Sequence, residues 1–209
     1  MIGSCRHSDT ADGQVVAFDF DGTLTYRDSF IAFLIWREGL ARFGAGLLGL
    51  APAVAGYGLN RDRGALKAAT ANRFLGGLTR AEIESDAQRF CDERFDRLMR
   101  PDALGCWREW AANGARLFIV TASPVSLVAP FARALGAEGL IGTRLAFDDD
   151  RFTGALDGPN CRGVEKVVRM RQALGSNLKV TAAYGDTAGD REMLAMAERP
   201  GLRVFTKRP

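Results

Sequence analysis

Asp19 and Asp21 close an apolar run, Val15 to Phe20, of the kind that becomes a buried strand. A carboxylate buried there costs several kcal/mol unless something compensates, and a metal ion is the commonest compensator. Two other apolar segments end in polar residues of the same kind. "RLFIVTASP" brings Thr121 and Ser123, and "VTAAYGDTAGD" brings Asp186 and Asp190. Lys166 opens the helix before the last of these segments. Three carboxylates converging without His or Cys favour a hard, oxygen-loving cation, Mg²⁺ above all. Hydroxyls, a lysine and the N–H groups of a helix start beside such a cation would hold a phosphate. Asp19 then has a nucleophile's place, and Asp21 could carry the proton for the leaving oxygen.

These residues converge only if the elements bring them together. In open α/β sheets, ligands bind beyond the carboxyl ends of the strands. The patterns predict strands at Gln14–Phe20, Arg116–Thr121 and Leu178–Tyr184, with a last short strand near Leu202–Phe205. Helices are expected over Asp102–Asn113, Val125–Leu135, Val164–Leu174 and Asp190–Ala197, and Leu140–Leu156 reads as a hairpin turning at its Asp run. Alternating strands and helices imply a parallel sheet. Between the first two strands the pattern is helical throughout, including a capping box at Thr79-Arg-Ala-Glu82. That stretch is too long for one crossover. The expected fold is therefore α/β, a three-layer Rossmann-like core (14–28 and 114–209) with an inserted α-helical cap (29–113) after a disordered leader (1–13).

Composition narrows the alternatives. The chain has 209 residues, 47% hydrophobic and 25% charged, with a formal net charge of +3. This is ordinary for a soluble globular protein and gives no specific case for nucleic acid. The one histidine is His7, in the leader, so a His-based triad is set aside. Four scattered cysteines without a C-x-x-C pair argue against a zinc site or a disulfide framework, and for a cytoplasmic setting. "GAGLLG" (Gly44–Gly49) matches a dinucleotide fingerprint but follows a helical segment, not a strand. Cys91 and Arg97 have the spacing of a cysteine phosphatase loop, yet acidic residues lie between them and Cys91 sits on an apolar helix stripe.

Taken in order, "DFDGTLT", Thr121, Lys166 and "GDTAGD" resemble the four motifs of the haloacid dehalogenase superfamily, in its phosphoserine-phosphatase-like branch with a helical cap. The resemblance covers roughly residues 14–206. It implies that Asp19 attacks phosphorus to give an aspartyl-phosphate, with Asp21 as general acid/base. Thr121, Ala122 and Lys166 would bind the phosphoryl oxygens. Mg²⁺ would be held by Asp19, the backbone carbonyl of Asp21 and Asp186, supported by Asp190. Dehalogenases of the superfamily lack the second aspartate and its ion pumps carry Thr there, so Asp21 argues phosphatase. Phosphoserine phosphatases have Glu where Asp28 stands, and Ser-Gly-Gly where this chain has Thr121-Ala122-Ser123. Asp28 and Ser123 are thus the substrate-side candidates. "VTASP", "GTRL", "CRGVEK" and "YGDTAGDREML" are similar to a bacterial group that includes phosphatidylglycerophosphatase C.

The expected activity is Mg²⁺-dependent hydrolysis of a phosphomonoester, either a small molecule or a lipid phosphate such as phosphatidylglycerophosphate. The alternatives are a phosphotransferase that passes the same intermediate to an alcohol, and a non-catalytic phosphate-ligand binding protein. Phe43–Asn60 carries no charge across 18 residues, includes Pro52, and is followed by Arg61, Arg63, Lys67 and Arg73. It reads either as a helical hairpin within the cap or as a peripheral contact (43–73) at the inner face of the membrane.

Overall fold

Four residues, Val15–Phe18 (β1), are buried on both faces and form the central strand. β1 pairs in parallel with β2 (Arg116–Pro124) on one side and β6 (Val180–Gly185) on the other. β3 (Gly139–Thr143) and β7 (Ala197–Leu202) complete a five-stranded parallel sheet in the order β3-β2-β1-β6-β7. The computed structural model describes residues 13–51, 53, 55, 58 and 63–209. The expected leader therefore lies, except for Gly13, outside the described residues.

Alternation along β1 sorts the core into two layers. Val16 and Phe18 face a large cluster with Trp107 and Trp110 of α5 (Pro101–Ala112) and Phe131 of α6 (Val125–Leu135). Val15 and Ala17 face a smaller one with Met170 of α7 (Val164–Leu174) and Leu194 of α8 (Arg191–Ala195). Helices on both faces are what a fully buried parallel sheet requires.

The insertion after β1 contains α1 (Ser29–Glu38), α2 (Leu40–Leu48), α3 (Arg63–Leu75) and α4 (Arg80–Leu98). The capping box at Thr79 and Glu82 starts α4 as expected. Phe33, Phe90 and Phe131 pack edge to face, tying α1 and α4 to the core helix α6. Among the described residues no helix is long and apolar enough to cross a membrane. Part of the uncharged run (52, 54, 56, 57, 59 and 60) lies outside them.

Three boundaries differ from expectation. α5, assigned above to the cap, lies on the sheet: Trp107 packs against Phe18 at 5.0 Å between ring centroids, and Trp110 Nε1 donates to the Tyr184 hydroxyl at 3.0 Å. By packing, the insertion ends near Arg100 instead of 113. The Leu140–Leu156 segment is no single hairpin, because its first part is sheet strand β3. The antiparallel pair is β4 (Leu145–Asp148) with β5 (Arg151–Leu156), turning at Asp149 and Asp150, both at positive φ. The last strand begins earlier, at Ala197. It is an edge strand, so Pro200 opposite Ala183 costs no ladder on its outer side.

Candidate active site

β1 delivers the Asp19 side chain to the carboxyl edge of the sheet, where the Asp19 N–H donates to the Tyr184 carbonyl of β6 at 2.8 Å. Residues 20–24 then turn sharply through Gly22, at φ +84°. The turn brings Asp21 back over the same edge, where its two oxygens are held separately. Ser29 N, in the first turn of α1, donates to Oδ1 at 2.7 Å, and Ser123 Oγ donates to Oδ2 at 2.5 Å. Ser123 is thus a partner of Asp21 and not a cap of α6. Thr121 is fully buried, and its Oγ1 accepts from Ser123 N at 2.9 Å, which fixes the end of β2.

Lys166 reaches the site from α7 with a 1% exposed side chain. Its ammonium donates to Asp19 Oδ1 at 2.6 Å, Asp190 Oδ1 at 2.7 Å and the Val120 carbonyl at 2.6 Å. All three of its donors are used. Asp190 Oδ2 in turn accepts from Thr187 Oγ1 and Thr187 N, both at 2.9 Å. Asp190 therefore braces the loop after β6 against Lys166. Asp186, earlier on that loop, has a buried Oδ1 that accepts no hydrogen bond from any described residue.

Burial pushes the Asp19 carboxyl up to about 7, against the pull of Lys166. Burial also raises Asp186, with Asp190 and Asp21 adding to the effect. At Asp190 burial acts against the charge, but Lys166 and the Thr187 hydrogen bonds outweigh it and hold the carboxyl below its ordinary value. Oxygens of Asp19, Asp186 and Asp190 lie within 4.8 Å of one another. A divalent cation would relieve this repulsion, ionise Asp19 and take the unpartnered Asp186 Oδ1. An all-oxygen donor set fits a hard ion such as Mg²⁺. Gly22 leaves the necessary room, since a Cβ there would lie 2.1 Å from Asp186 Oδ2.

Around these groups opens a cleft of about 420 Å³. All nine sequence-predicted site residues fall in or beside it. Asp19, Asp21, Ala122, Lys166, Asp186, Asp190 and Asp28 line it, with Thr121 and Ser123 immediately behind. Asp28 has a second job as the N-cap of α1, accepting from Ile31 N at 2.9 Å. Four lining cations were missed as site residues: Arg27, Lys67, Arg100 and Arg162. Lys67, which the peripheral-contact alternative would turn to a membrane, turns inward from α3 and donates to the Ala122 carbonyl at 2.6 Å. Burial lowers its pKa against the pull of Asp21, Asp28 and Asp19. One signal was available: lysine occurs only four times among 28 basic residues, and two of those four are here.

A family model of haloacid dehalogenase-like hydrolases matches residues 16–195. The protein CicA of Caulobacter vibrioides is 56% identical over 210 residues, covering 100% of this chain and 92% of its own length. A phosphoserine phosphatase of Halobacterium salinarum is 30% identical over 187 residues, covering 88% of this chain and 82% of that protein. A solved Bordetella pertussis protein of unknown function superposes with a TM-score of 0.72 at 26% identity, covering 88% of this chain and 86% of that one. A phosphoserine phosphatase solved as a phospho-aspartyl intermediate analogue has a TM-score of 0.58 at 22% identity, with coverage of 89% and 84%, and so shares the fold. With its parallel sheet and the acidic loops at the sheet's carboxyl edge, the chain belongs to the haloacid dehalogenase-like hydrolase family, in its phosphoserine-phosphatase-like branch.

Proposed function

We propose that this hydrolase is a phosphomonoester phosphatase that works through an aspartyl-phosphate on Asp19. One observation carries the reading: Asp19 lines the cleft with Oδ1 held by a buried lysine, while among the described residues Oδ2 accepts only a long 3.3 Å bond from Thr23 Oγ1. Oδ2 is the oxygen free to attack. As it bonds to phosphorus, the bond from phosphorus to the ester oxygen breaks, and Asp21 protonates the departing alkoxide. Asp21 next takes a proton from water, whose oxygen attacks the same phosphorus and releases phosphate from Asp19. Ser123 and Ser29 N keep the Asp21 carboxyl aimed during both transfers. Lys166 neutralises charge near the reacting oxygens, and Thr121 and Ala122 border the phosphoryl position. Asp19, Asp186 and the backbone at Asp21 would hold Mg²⁺, with Asp190 as their brace. The ion supplies electrostatic stabilisation of the charge that builds on the phosphoryl oxygens.

The phosphoserine phosphatases among the relatives support a small substrate, and the volume of the cleft agrees with one. A lipid phosphomonoester is the second reading. It is favoured by Leu40, Leu47 and Leu48 of α2, which are 73%, 45% and 80% exposed.

The deciding experiment combines a panel of phosphate esters, soluble and lipid, with acid-quench trapping of labelled enzyme. Wild type should release phosphate, require Mg²⁺ and trap label. Asp19→Asn should neither release phosphate nor trap label, and Asp21→Asn should turn over roughly 10²–10⁴-fold more slowly. Wild-type turnover by Asp19→Asn, or full activity in excess chelator, would sink the reading.

A further inference from the structure

Arg203 stands just past β7 with φ +54°, in the left-handed region that favours glycine. Its side chain is exposed, so burial does not explain why an arginine is kept there. Its hydrogen bonds give the reason. Arg203 N donates to the Gly185 carbonyl at 2.8 Å, and Arg203 Nε donates to the Asp186 carbonyl at 2.7 Å. The left-handed turn folds the chain back so that one residue grips both peptide units that carry Asp186.

The segment after Arg203 is itself tied down. Phe205 packs against Tyr184 in a tilted pair and stacks on Phe18, at 5.2 and 6.3 Å between ring centroids. Thr206 N and Lys207 N donate to Asp102 Oδ2 at 2.7 and 3.0 Å. The Lys207 carbonyl accepts from Arg100 Nη1 at 2.9 Å, while Arg100 Nε donates to the carbonyls of Gly22 and Thr25, both at 3.2 Å. The two arginines thus connect the loop after the nucleophile to the loop carrying Asp186 through one strip of chain, residues 203–207. These loops meet where a Gly22 Cβ would strike Asp186 Oδ2.

We infer that the 203–207 segment is a clasp that sets the spacing of the two cation-binding loops, and that Arg203 is a positioning residue for Asp186. The inference rests on the phosphatase reading only through the cation that Asp19 and Asp186 would share. Without the guanidinium, Asp186 would keep its carboxylate but lose the carbonyl anchor that orients it. Loss of a group that orients a metal ligand typically costs about 10–100-fold in metal affinity or activity.

Backbone strain provides a sharp test. Arg203→Gly removes the guanidinium yet suits the left-handed turn, so relief of strain offsets the lost hydrogen bond, and an arginine that only held the fold would leave metal binding unchanged. The clasp predicts a melting temperature at or above wild type, with Mg²⁺ binding by titration calorimetry weakened roughly tenfold. Arg203→Asn also tolerates the turn but is too short to reach Asp186, and should behave like Arg203→Gly. Arg203→Lys keeps a donor and should recover part of the affinity. If Arg203→Gly or Arg203→Asn bound Mg²⁺ as wild type does, the clasp would be refuted. If wild type itself bound no Mg²⁺, the cation reading would fall, and the clasp with it.

Discussion

Gly22 is the residue on which the acidic site turns, because two requirements meet at one Cα. Its φ of +84° is open to glycine, and the space where a Cβ would sit is occupied by Asp186 Oδ2 at 2.1 Å. Gly22→Ala should therefore cost about 1–2 kcal/mol in backbone strain. It should also push Asp186 away from Asp19, and misplacement of about 1 Å near reacting groups costs about 100-fold in rate. A circular dichroism spectrum like that of wild type, with kcat down about 100-fold or more, is the expected result; undiminished kcat would contradict it. The acidic and hydroxyl residues of the cleft were legible in the sequence because they sit where apolar runs stop. Asp19, Thr121 and Asp186 needed only the strand pattern to be placed at one sheet edge, and Lys166 followed from its position before the third such run. Lys67 was not legible in this way. It lies in the middle of α3, where nothing local distinguishes a cleft lysine from a solvated one, and only packing turns it toward Ala122.

Among the elements, α5 shows how chain order can mislead. It follows the helices of the insertion and reads as one more of them, yet its tryptophans belong to Phe18 and Tyr184 in the sheet. Nothing in a helical period says which layer receives its apolar stripe, so the boundary had to come from packing. β7 was misplaced for a related reason. Pro200 speaks against a strand, and only its position at the sheet edge permits one. α5 also anchors the chain end through Asp102, whose carboxylate accepts from Ala103 N as well as from Thr206 N and Lys207 N. Burial works against the charge, but the Lys207, Thr206 and Ala103 hydrogen bonds outweigh it and hold the pKa below its ordinary 3.8. A depressed carboxyl stabilises the fold above its unfolded pKa and loses that contribution as pH falls through the folded value. Asp102→Ala should remove about 1 kcal/mol at neutral pH, a drop of roughly 2–4 °C in melting temperature, and the deficit should shrink below about pH 4. Melting curves from pH 7 to pH 3 check this. A deficit that stayed constant with pH would assign the loss to something other than the carboxylate.

At the scale of the whole molecule, what must be settled is where the cleft meets its substrate. α2 buries Phe43 against Phe74, with ring centroids 5.1 Å apart, and turns Leu40, Leu47 and Leu48 outward beside an exposed Arg42. An apolar strip on a helix of the insertion that covers the cleft is what an interfacial contact needs. The charge behind it is thinner than the sequence implies. Lys67 is committed to the cleft and Arg73 Nε donates to the Gly46 carbonyl at 3.3 Å. Attraction to an anionic surface, at about 1 kcal/mol per basic residue, is correspondingly smaller. The leucines would then carry most of the binding, at up to about 1.5–3 kcal/mol for each one fully buried. If the substrate is a lipid phosphate, the protein should sediment with anionic vesicles and salt should weaken this only modestly. Leu47→Glu and Leu48→Glu should abolish sedimentation while leaving hydrolysis of a soluble ester unchanged. Leu50→Glu makes a poor probe, because Leu50 is only 5% exposed and a charge there would attack the core. Failure to sediment at low salt, with a soluble phosphomonoester turned over efficiently, would remove the lipid from consideration and leave the outward leucines without a functional explanation.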